Sequence, residues 1–499
     1  MTTGATKNLD RHMVRAVLWT GGAKWASQIL SWGATIVVAR LLSPGDFGLV
    51  GMAALYLNLA ALISQIGVAN AVITLRGLTR RQIAELNTVA VLVGAGLVAL
   101  SGIVAIPLSR FFATPSLRGV IILVSTTCFI NGFQVVPGAL LQKELRFELL
   151  AWLETLRAFG QIVATIVFAL LGFGYWCLVF GYIMGATTAT VLTLCFRRHP
   201  FAGPHFGQLR SELQFSGQVM LSGIAWYVYT NADFAVAGRV LGQVQLGDYT
   251  FAWTISSAPV EKISTLVTRV TPAFFSAAQD DKRELRRYLL RLTEALSYLT
   301  VPASIGIALI ADQLIPVVLG PKWLGVIAPL QLLALYVAVR SITTLLPIVL
   351  TAIRDTTFVM WTTLASAVIM PTAFFIGSHW GTRGIAAAWF VMYPVITAPL
   401  YYKICQRLGM TMREYCRTIL PSLVASAFMI VAVLLTRWAV PITLLPSLRL
   451  SLMIGTGSLA YAGALYAFYG ARLRTLFRAL RSRRDSGTTA APVALETYY

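Results

Sequence analysis

Apolar residues along the chain come in blocks of about twenty, broken by short stretches rich in Arg, Lys, Asp and Glu. A block of that length crosses the ~30 Å hydrocarbon layer of a bilayer as a helix. The alternating segments of about ten residues that mark transmembrane strands are absent. Lipid offers the backbone no hydrogen-bond partner, so spanning segments of this kind must be helical. The pattern predicts fourteen spans, at 16–39, 47–73, 87–109, 119–141, 149–171, 175–196, 215–238, 246–268, 289–311, 327–353, 356–378, 384–406, 418–438 and 448–470. The first is too long for a signal-peptide core and no small-residue cleavage site follows it, so it is expected to stay as an anchor. The fold class expected is an all-α polytopic membrane protein.

Composition supports this reading. Of 499 residues, 57% are hydrophobic and only 12% charged, with a mean hydropathy of +0.74. A soluble domain carries about twice that charged fraction. The net charge of +21, from 40 basic and 19 acidic residues, would suggest nucleic acid in a soluble protein. Here most of the excess lies in the inter-span segments, so no nucleic-acid partner is expected and the phospholipid bilayer is the surrounding partner. Basic residues concentrate in alternate segments. Arg76, Arg80 and Arg81 lie in one. Lys282, Arg283, Arg286, Arg287 and Arg291 lie in another, and Arg472, Arg474, Arg478, Arg481, Arg483 and Arg484 in the tail. The intervening segments hold few: Arg40, Arg110, Arg118, Arg239, Lys322, Arg383, Arg437 and Arg449. The positive-inside rule then places both termini in the cytoplasm, which requires an even number of spans.

Covalent chemistry finds no foothold. The five cysteines form no CxxC pair and no cysteine–histidine cluster, and His12, His199, His205 and His379 are isolated. No phosphate loop, GxSxG, HExxH or zinc spacing occurs. No catalytic residue, metal site or cofactor is expected.

The chain repeats itself. Arg40-Leu41-Leu42 precedes Asp46-Phe47-Gly48, and Arg239-Val240-Leu241 precedes Leu246-Gly247-Asp248-Tyr249, with eight residues from Arg to Gly in both. Pro137 matches Pro347, and Gly174 matches Gly384. With six spans each, the halves are parallel and related by an axis along the membrane normal, an arrangement of transporters with a cavity between the halves and alternating access. The expected organisation is a six-helix bundle at 1–198, a cytoplasmic linker at 199–214, a second bundle at 215–410, two extra helices at 411–471 and a basic cytoplasmic tail at 472–499.

Several stretches carry a family resemblance. They are Val38-Ala39-Arg40-Leu41-Leu42-Ser43-Pro44-Gly45-Asp46-Phe47-Gly48-Leu49, Leu140-Leu141-Gln142-Lys143-Glu144-Leu145-Arg146-Phe147 and Gly172-Phe173-Gly174-Tyr175-Trp176. In the second half they are Asn231, Asp233, Gly238-Arg239-Val240-Leu241-Gly242, Leu246-Gly247-Asp248-Tyr249 and Leu319-Gly320-Pro321-Lys322-Trp323. In this order they resemble the polysaccharide exporters of the multidrug/oligosaccharidyl-lipid/polysaccharide (MOP) flippase superfamily, in particular its WzxC-like branch. The resemblance implies two pseudo-symmetric six-helix bundles in the MOP flippase fold. It implies movement of an undecaprenyl-pyrophosphate-linked oligosaccharide repeat unit from the cytoplasmic to the periplasmic leaflet of a bacterial inner membrane, for exopolysaccharide or lipopolysaccharide synthesis. A polysaccharide polymerase and export machinery are the further partners it suggests. The two extra helices are similar to those of the related lipid II flippases. An ion-coupled multidrug/cation antiporter of the same superfamily would share the fold but have a less cationic pocket. A membrane polymerase or ligase would need a large external loop.

Charged residues inside spans are costly and point to function. Lys24, Arg157, Lys262, Arg269 and Arg340 are the candidates for a pyrophosphate, because a guanidinium matches phosphate oxygens in a bidentate fork. Glu154 and Arg157 are three apart and could simply pair, and Arg269 could snorkel to the interface. Aromatic planes stack on sugar rings, so Trp226, Tyr229 and Asn231, with Gln28 on the first span, are the candidate sugar path; interfacial belts use the same aromatic residues. Asp233, Glu261 and Glu294 are candidates for coupling to a proton or sodium gradient. For Asp233 the competing reading is a helix–helix hydrogen bond or a pair with Arg239.

The charge bias yields a topology test. Cysteines placed near Arg80, Lys143, Arg198, Lys282, Arg354 and Arg407 should resist an impermeant thiol reagent added from the periplasmic side. Strong labelling at two or more of these loops would overturn the topology.

Overall fold

A computed structural model describes residues 32–74, 78–144, 146–203, 226–228, 230–268, 271, 275, 281–441 and 443–486. Among them there are helices and turns and no strand. The helices are α1 (Trp32–Leu41), α2 (Pro44–Thr74), α3 (Arg80–Phe111), α4 (Leu117–Lys143), α5 (Phe147–Leu170) and α6 (Trp176–Phe196). A π-helical turn, α7 (Ala237–Leu241), leads into α8 (Gly242–Thr268). Then follow α9 (Lys282–Val318), a 3-10 turn at Pro321–Val326, α10 (Ile327–Thr343), α11 (Leu345–Ala352), α12 (Thr356–Ser378), α13 (Gly381–Leu408), α14 (Met412–Ala439) and α15 (Pro446–Ser486).

Eleven described helical stretches are long and apolar enough to cross a membrane. Each coincides with a predicted span. Of the other three, 16–39 falls largely, and 215–238 by half, outside the described residues. The eighth, 246–268, is α8, a helix of 27 residues that is less apolar because it carries Thr250, Thr254, Ser256, Ser257, Glu261 and Lys262. A polar spanning helix belongs against protein or water, not lipid. By contrast α12 leaves Trp361 and Val368 well exposed, as a lipid-facing helix does.

Local chemistry explains where helices start. Thr79 caps α3 and Thr411 caps α14, each in a reciprocal capping box, with Gln82 and Glu414 reaching back. Asp46 does the same at α2, its carboxylate accepting from the Ser43 amide at 2.8 Å and hydroxyl at 2.7 Å. Two expectations need correction. The stretch 311–327, read as lying between spans, is mostly helical, because α9 continues to Val318 and the 3-10 turn follows at once. Gly174 and Gly384 match in sequence but not in role. Gly174 makes the turn between α5 and α6 at φ +55°, whereas Gly384 lies inside α13, where a methyl group would overlap the carbonyl of Gly377.

The chain divides into two compact units. One comprises Met1–Ala252, Val318–Pro329 and Ser366–Ala388; the other comprises Trp253–Val317, Leu330–Ala365 and Trp389–Tyr499. Two segments of the second half of the sequence, Val318–Pro329 and Ser366–Ala388, thus belong to the first unit.

In the first unit, helix packing relies on glycine. A methyl group at Gly94 of α3 would press on the carbonyl oxygen of Cys128 in α4, and one at Gly132 of α4 would stand 3.0 Å from the carbonyl oxygen of Ala90 in α3. Small residues of this kind let membrane helices approach backbone to backbone. Gly48 of α2 and Gly247 of α8 form a second such crossing: a methyl at Gly48 would overlap the carbonyl of Gln243, and one at Gly247 the carbonyl of Pro44. The two copies of the sequence repeat therefore pack on each other at their glycines. Around this crossing, Trp323 is fully buried against Phe47 and Phe251, and its indole N–H donates to the carbonyl of Ala39 at 2.9 Å. Arg40 donates to the carbonyl of Val318, and Lys322 to that of Arg40. Segments that the alternating topology assigns to one face thus meet at one end.

The other predicted face is also held together within each unit. In the first unit Arg197 pairs with Glu144 at 2.7 Å and Lys143 donates to the carbonyl of Val72. In the second, Arg407 forks onto Asp355 and holds its carboxyl below the usual carboxylate range, while Arg286 bonds both Glu414 and the carbonyl of Gly409. The second unit builds α14 and α15 onto α9. Met429, Val433, Leu450 and Met453 pack on Ile310, and the Tyr461 hydroxyl donates to the carbonyl of Tyr298. Past a kink at Tyr469, α15 continues to Ser486. Much of the segment expected as a basic tail is therefore helical.

The glycine crossing of α3 and α4 gives a stability test. Gly94→Val forces two backbones apart and should cost about 1–3 kcal/mol, the usual range for overpacking. Gly96 faces open space, so Gly96→Val is the control. A lowered melting midpoint in detergent is expected for the first alone.

A cationic aromatic cluster as the candidate functional site

Four aromatic side chains and one guanidinium come together in the second unit. Tyr336 and Arg340 are four apart on α10, Trp389 and Tyr393 four apart on α13, so each pair projects from one helix face. Trp253 comes from α8. Ring centroids lie 5.7 Å apart for Trp253 and Trp389, 5.9 Å for Trp253 and Tyr336, 4.8 Å for Tyr336 and Trp389 and 5.0 Å for Tyr336 and Tyr393. The Arg340 guanidinium carbon stands 5.8 Å from the Trp253 ring centre. That is within cation–π range, where a desolvated pair contributes up to about 2 kcal/mol. The Tyr393 and Thr343 hydroxyls are 2.9 Å apart.

Trp389 and Tyr336 are buried and form the floor, whereas Trp253, Arg340 and Tyr393 are only partly covered. At 1.5 Å per residue, Arg340 sits about 20 Å, Tyr393 about 18 Å and Trp253 about 16 Å along their helices. The cluster therefore lies well inside the bilayer thickness. A guanidinium over tilted aromatic rings, with the Tyr393 and Thr343 hydroxyls in the same cluster, has the chemistry to bind an anionic group.

Arg340 is thus placed in a defined site. Arg157 is half-exposed on α5, 3.8 Å from Glu154, the local pair that the spacing allowed. Lys262 lies on α8, its side chain outside the described residues; Lys24, Arg269, Gln28 and Tyr229 also lie outside them. Of the candidate sugar path Gln28, Trp226, Tyr229 and Asn231, only Trp226 and Asn231 are among the described residues. Trp226 is exposed, and Asn231 turns back to donate to the carbonyl of Tyr227 in its own helix. The aromatic group around Arg340 was readable in the sequence only as two i, i+4 pairs.

The three candidate coupling acids differ. Asp233 is fully buried and accepts from the Tyr249 hydroxyl at 2.7 Å, the helix–helix hydrogen bond that its position allowed. Glu294 is buried in α9 and accepts from the Tyr298 hydroxyl at 2.7 Å. Glu261 is exposed on α8. Among the described residues no group of three or more His, Cys, Asp or Glu could hold a metal ion.

Comparison with known proteins gives the cluster a setting. The chain is 26% identical over 436 residues to the lipopolysaccharide biosynthesis protein WzxC of Escherichia coli, covering 81% of this chain and 86% of that protein. It is 25% identical to the succinoglycan biosynthesis transport protein ExoT of Rhizobium meliloti, covering 96% and 97%. Among solved structures it resembles the lipid II flippase MurJ in an inward closed conformation, with a TM-score of 0.73 at 14% identity over 91% of this chain and all of that one. An inward-facing multidrug transporter of the MOP superfamily matches with a TM-score of 0.63 at 17% identity, over 77% of this chain and 94% of that one. The fold is that of the MOP superfamily, as the repeat and its motifs led one to expect. Residues 37–328, more than half the chain, match the family described as "Polysaccharide biosynthesis protein", and the protein belongs to that family.

Proposed function

We propose that the protein is a flippase that carries an undecaprenyl-pyrophosphate-linked oligosaccharide across a bacterial inner membrane, from the cytoplasmic to the periplasmic leaflet, with both termini in the cytoplasm. The observation that carries this reading is Arg340, a cation held over Trp253 among Tyr336, Trp389 and Tyr393 at mid-membrane depth. A pyrophosphate loses its hydration on entering the bilayer, and a fixed guanidinium offsets that loss. The aromatic edges beside it suit the first sugar. The names of the relatives, lipopolysaccharide and succinoglycan transport among them, supply the substrate class. Lys24, Arg157, Lys262 and Arg269 are further contributors of positive charge along the same path, and an ion gradient acting through Asp233, Glu261 or Glu294 is a source of drive. A polymerase and export machinery would receive the product.

A cation antiporter of the same superfamily is the competing function. Aromatic cages do attract cations, but this one already faces a guanidinium, which repels a cationic drug. A cationic dye exported at rates insensitive to Arg340 would favour the antiporter.

Charge at Arg340 should decide export. Arg340→Ala should lower polymer export roughly tenfold, the scale of one lost charged hydrogen bond, at unchanged membrane levels. Arg340→Lys should restore part, because the bidentate fork is lost. Wild-type export by Arg340→Ala, together with two of Lys24→Ala, Arg157→Ala and Lys262→Ala, would remove the cationic path.

A further inference from the structure

Beside the glycine crossing of α2 and α8 lies a carboxylate that none of the roles above uses. Asp248, on the second turn of α8, is only 8% exposed. Its Oδ1 is buried and has no hydrogen-bond partner among the described residues. Its cover is Gly325 in the 3-10 turn, where a methyl group would overlap the carboxylate. Its chain neighbours are committed to the same packing: Gly247 to the backbone of Pro44, and Tyr249 to Asp233. Phe47, Phe251 and Trp323 pack on one another in the same seal.

Charged groups on the surrounding elements are engaged elsewhere. Arg40 at the end of α1 donates to the carbonyl of Val318. Lys322, on the turn that covers Asp248, donates to the carbonyl of Arg40. Asp46 is bound by Ser43. Arg239 on α7 lies over the Phe111 ring, and Asp233 takes the Tyr249 hydroxyl. No cation is paired with Asp248 among the described residues. An isolated carboxylate in a dry, apolar seal is costly when ionised and far less so when neutral.

We propose that Asp248 is a proton-binding site built into the seal formed by the two repeat motifs, protonated while the seal is closed and deprotonated when it opens. Every contact in this seal belongs to one compact unit, so opening means that the segments around Gly242–Ala252 and Pro321–Val326 part from α1 and α2. Parting uncovers Asp248 to the side that the charge distribution assigns to the periplasm. The proton is then released to that side and must be regained before the seal can close. Each opening is thereby tied to one proton. A sodium ion would need several oxygen ligands, and the carboxylate stands against a glycine instead. The site is set apart from the Arg340 cluster, and the inference does not depend on which lipid-linked molecule is carried.

Spin labels at Leu41→Cys on α1 and Leu324→Cys on the covering turn, both exposed, would report the seal in nanodiscs without any sugar lipid. The accessible Cys195, Cys405 and Cys416 would be replaced first. Raising the pH from 5 to 8 should shift the distance distribution to longer values in the native seal. Asp248→Asn, nearly isosteric and unable to ionise, should hold the short distances at both pH values. A shift in Asp248→Asn equal to that of the native residue overturns the proposal, as does a shift that follows sodium concentration. Should Asp248→Asn fail to reach the membrane, Gly325→Ala serves: it crowds the carboxylate from its cover and should give long distances at both pH values. A native pH profile there would equally sink the idea. Because no substrate is present, loss of polymer export alone leaves this measurement unaffected.

Discussion

Backbone against backbone is the contact on which this end of the molecule depends. Gly48 and Gly247 let α2 and α8 cross with no side chain between them. Each glycine lies against the chain that leads into the partner helix, so one substitution would disturb both helix starts. The close approach brings Phe47, Phe251 and Trp323 into one apolar plug. It also explains why the tryptophan reaches a backbone carbonyl on α1. In water such a plug would be held by the hydrophobic effect. In a membrane the drive is weaker, and close packing with satisfied donors must supply the difference.

The fold was largely written in the apolar pattern. Eleven spanning stretches fall where the blocks of hydrophobic residues predict them, because nothing but burial in lipid demands twenty apolar residues in a row. The departures have physical causes. Helix α8 forms where the pattern predicts a span, but its polar residues leave it outside the eleven stretches apolar enough to cross a membrane. The stretch after residue 311 continues as helix because α9 outruns the apolar block, with Pro316 accommodated near its end. Gly174 and Gly384 share a register position but answer different demands, one for a left-handed backbone, the other for room. Sequence identity at a position does not say which.

The site was less legible. Arg340 stood out as an intramembrane cation, but its aromatic partners are distributed over α8, α10 and α13, and no linear spacing links Trp253 to Trp389. What a sequence can show is the i, i+4 pairing of Tyr336 with Arg340 and of Trp389 with Tyr393. The aromatic run around Trp226 was more conspicuous, yet its polar member satisfies itself on its own helix. Asp248 was concealed for another reason. In the sequence it is one member of a repeat motif, and only the folded chain shows that a turn some seventy-five residues later covers it.

The last helix has a consequence of its own. At 41 residues, α15 is about 60 Å long, roughly twice the hydrocarbon thickness. It cannot all lie within the membrane, and its backbone departs from helical geometry at Tyr469, just ahead of Arg472, Arg474, Arg478, Arg481, Arg483 and Arg484. An element that leaves the hydrocarbon at a bend and continues as a basic rod behaves like a keel at the waterline. A basic rod of this kind is drawn to anionic headgroups, with about 1 kcal/mol for each basic residue near such a surface. Since α14 and α15 are packed on α9, any pull that a membrane surface exerts on this rod is passed to those three helices together.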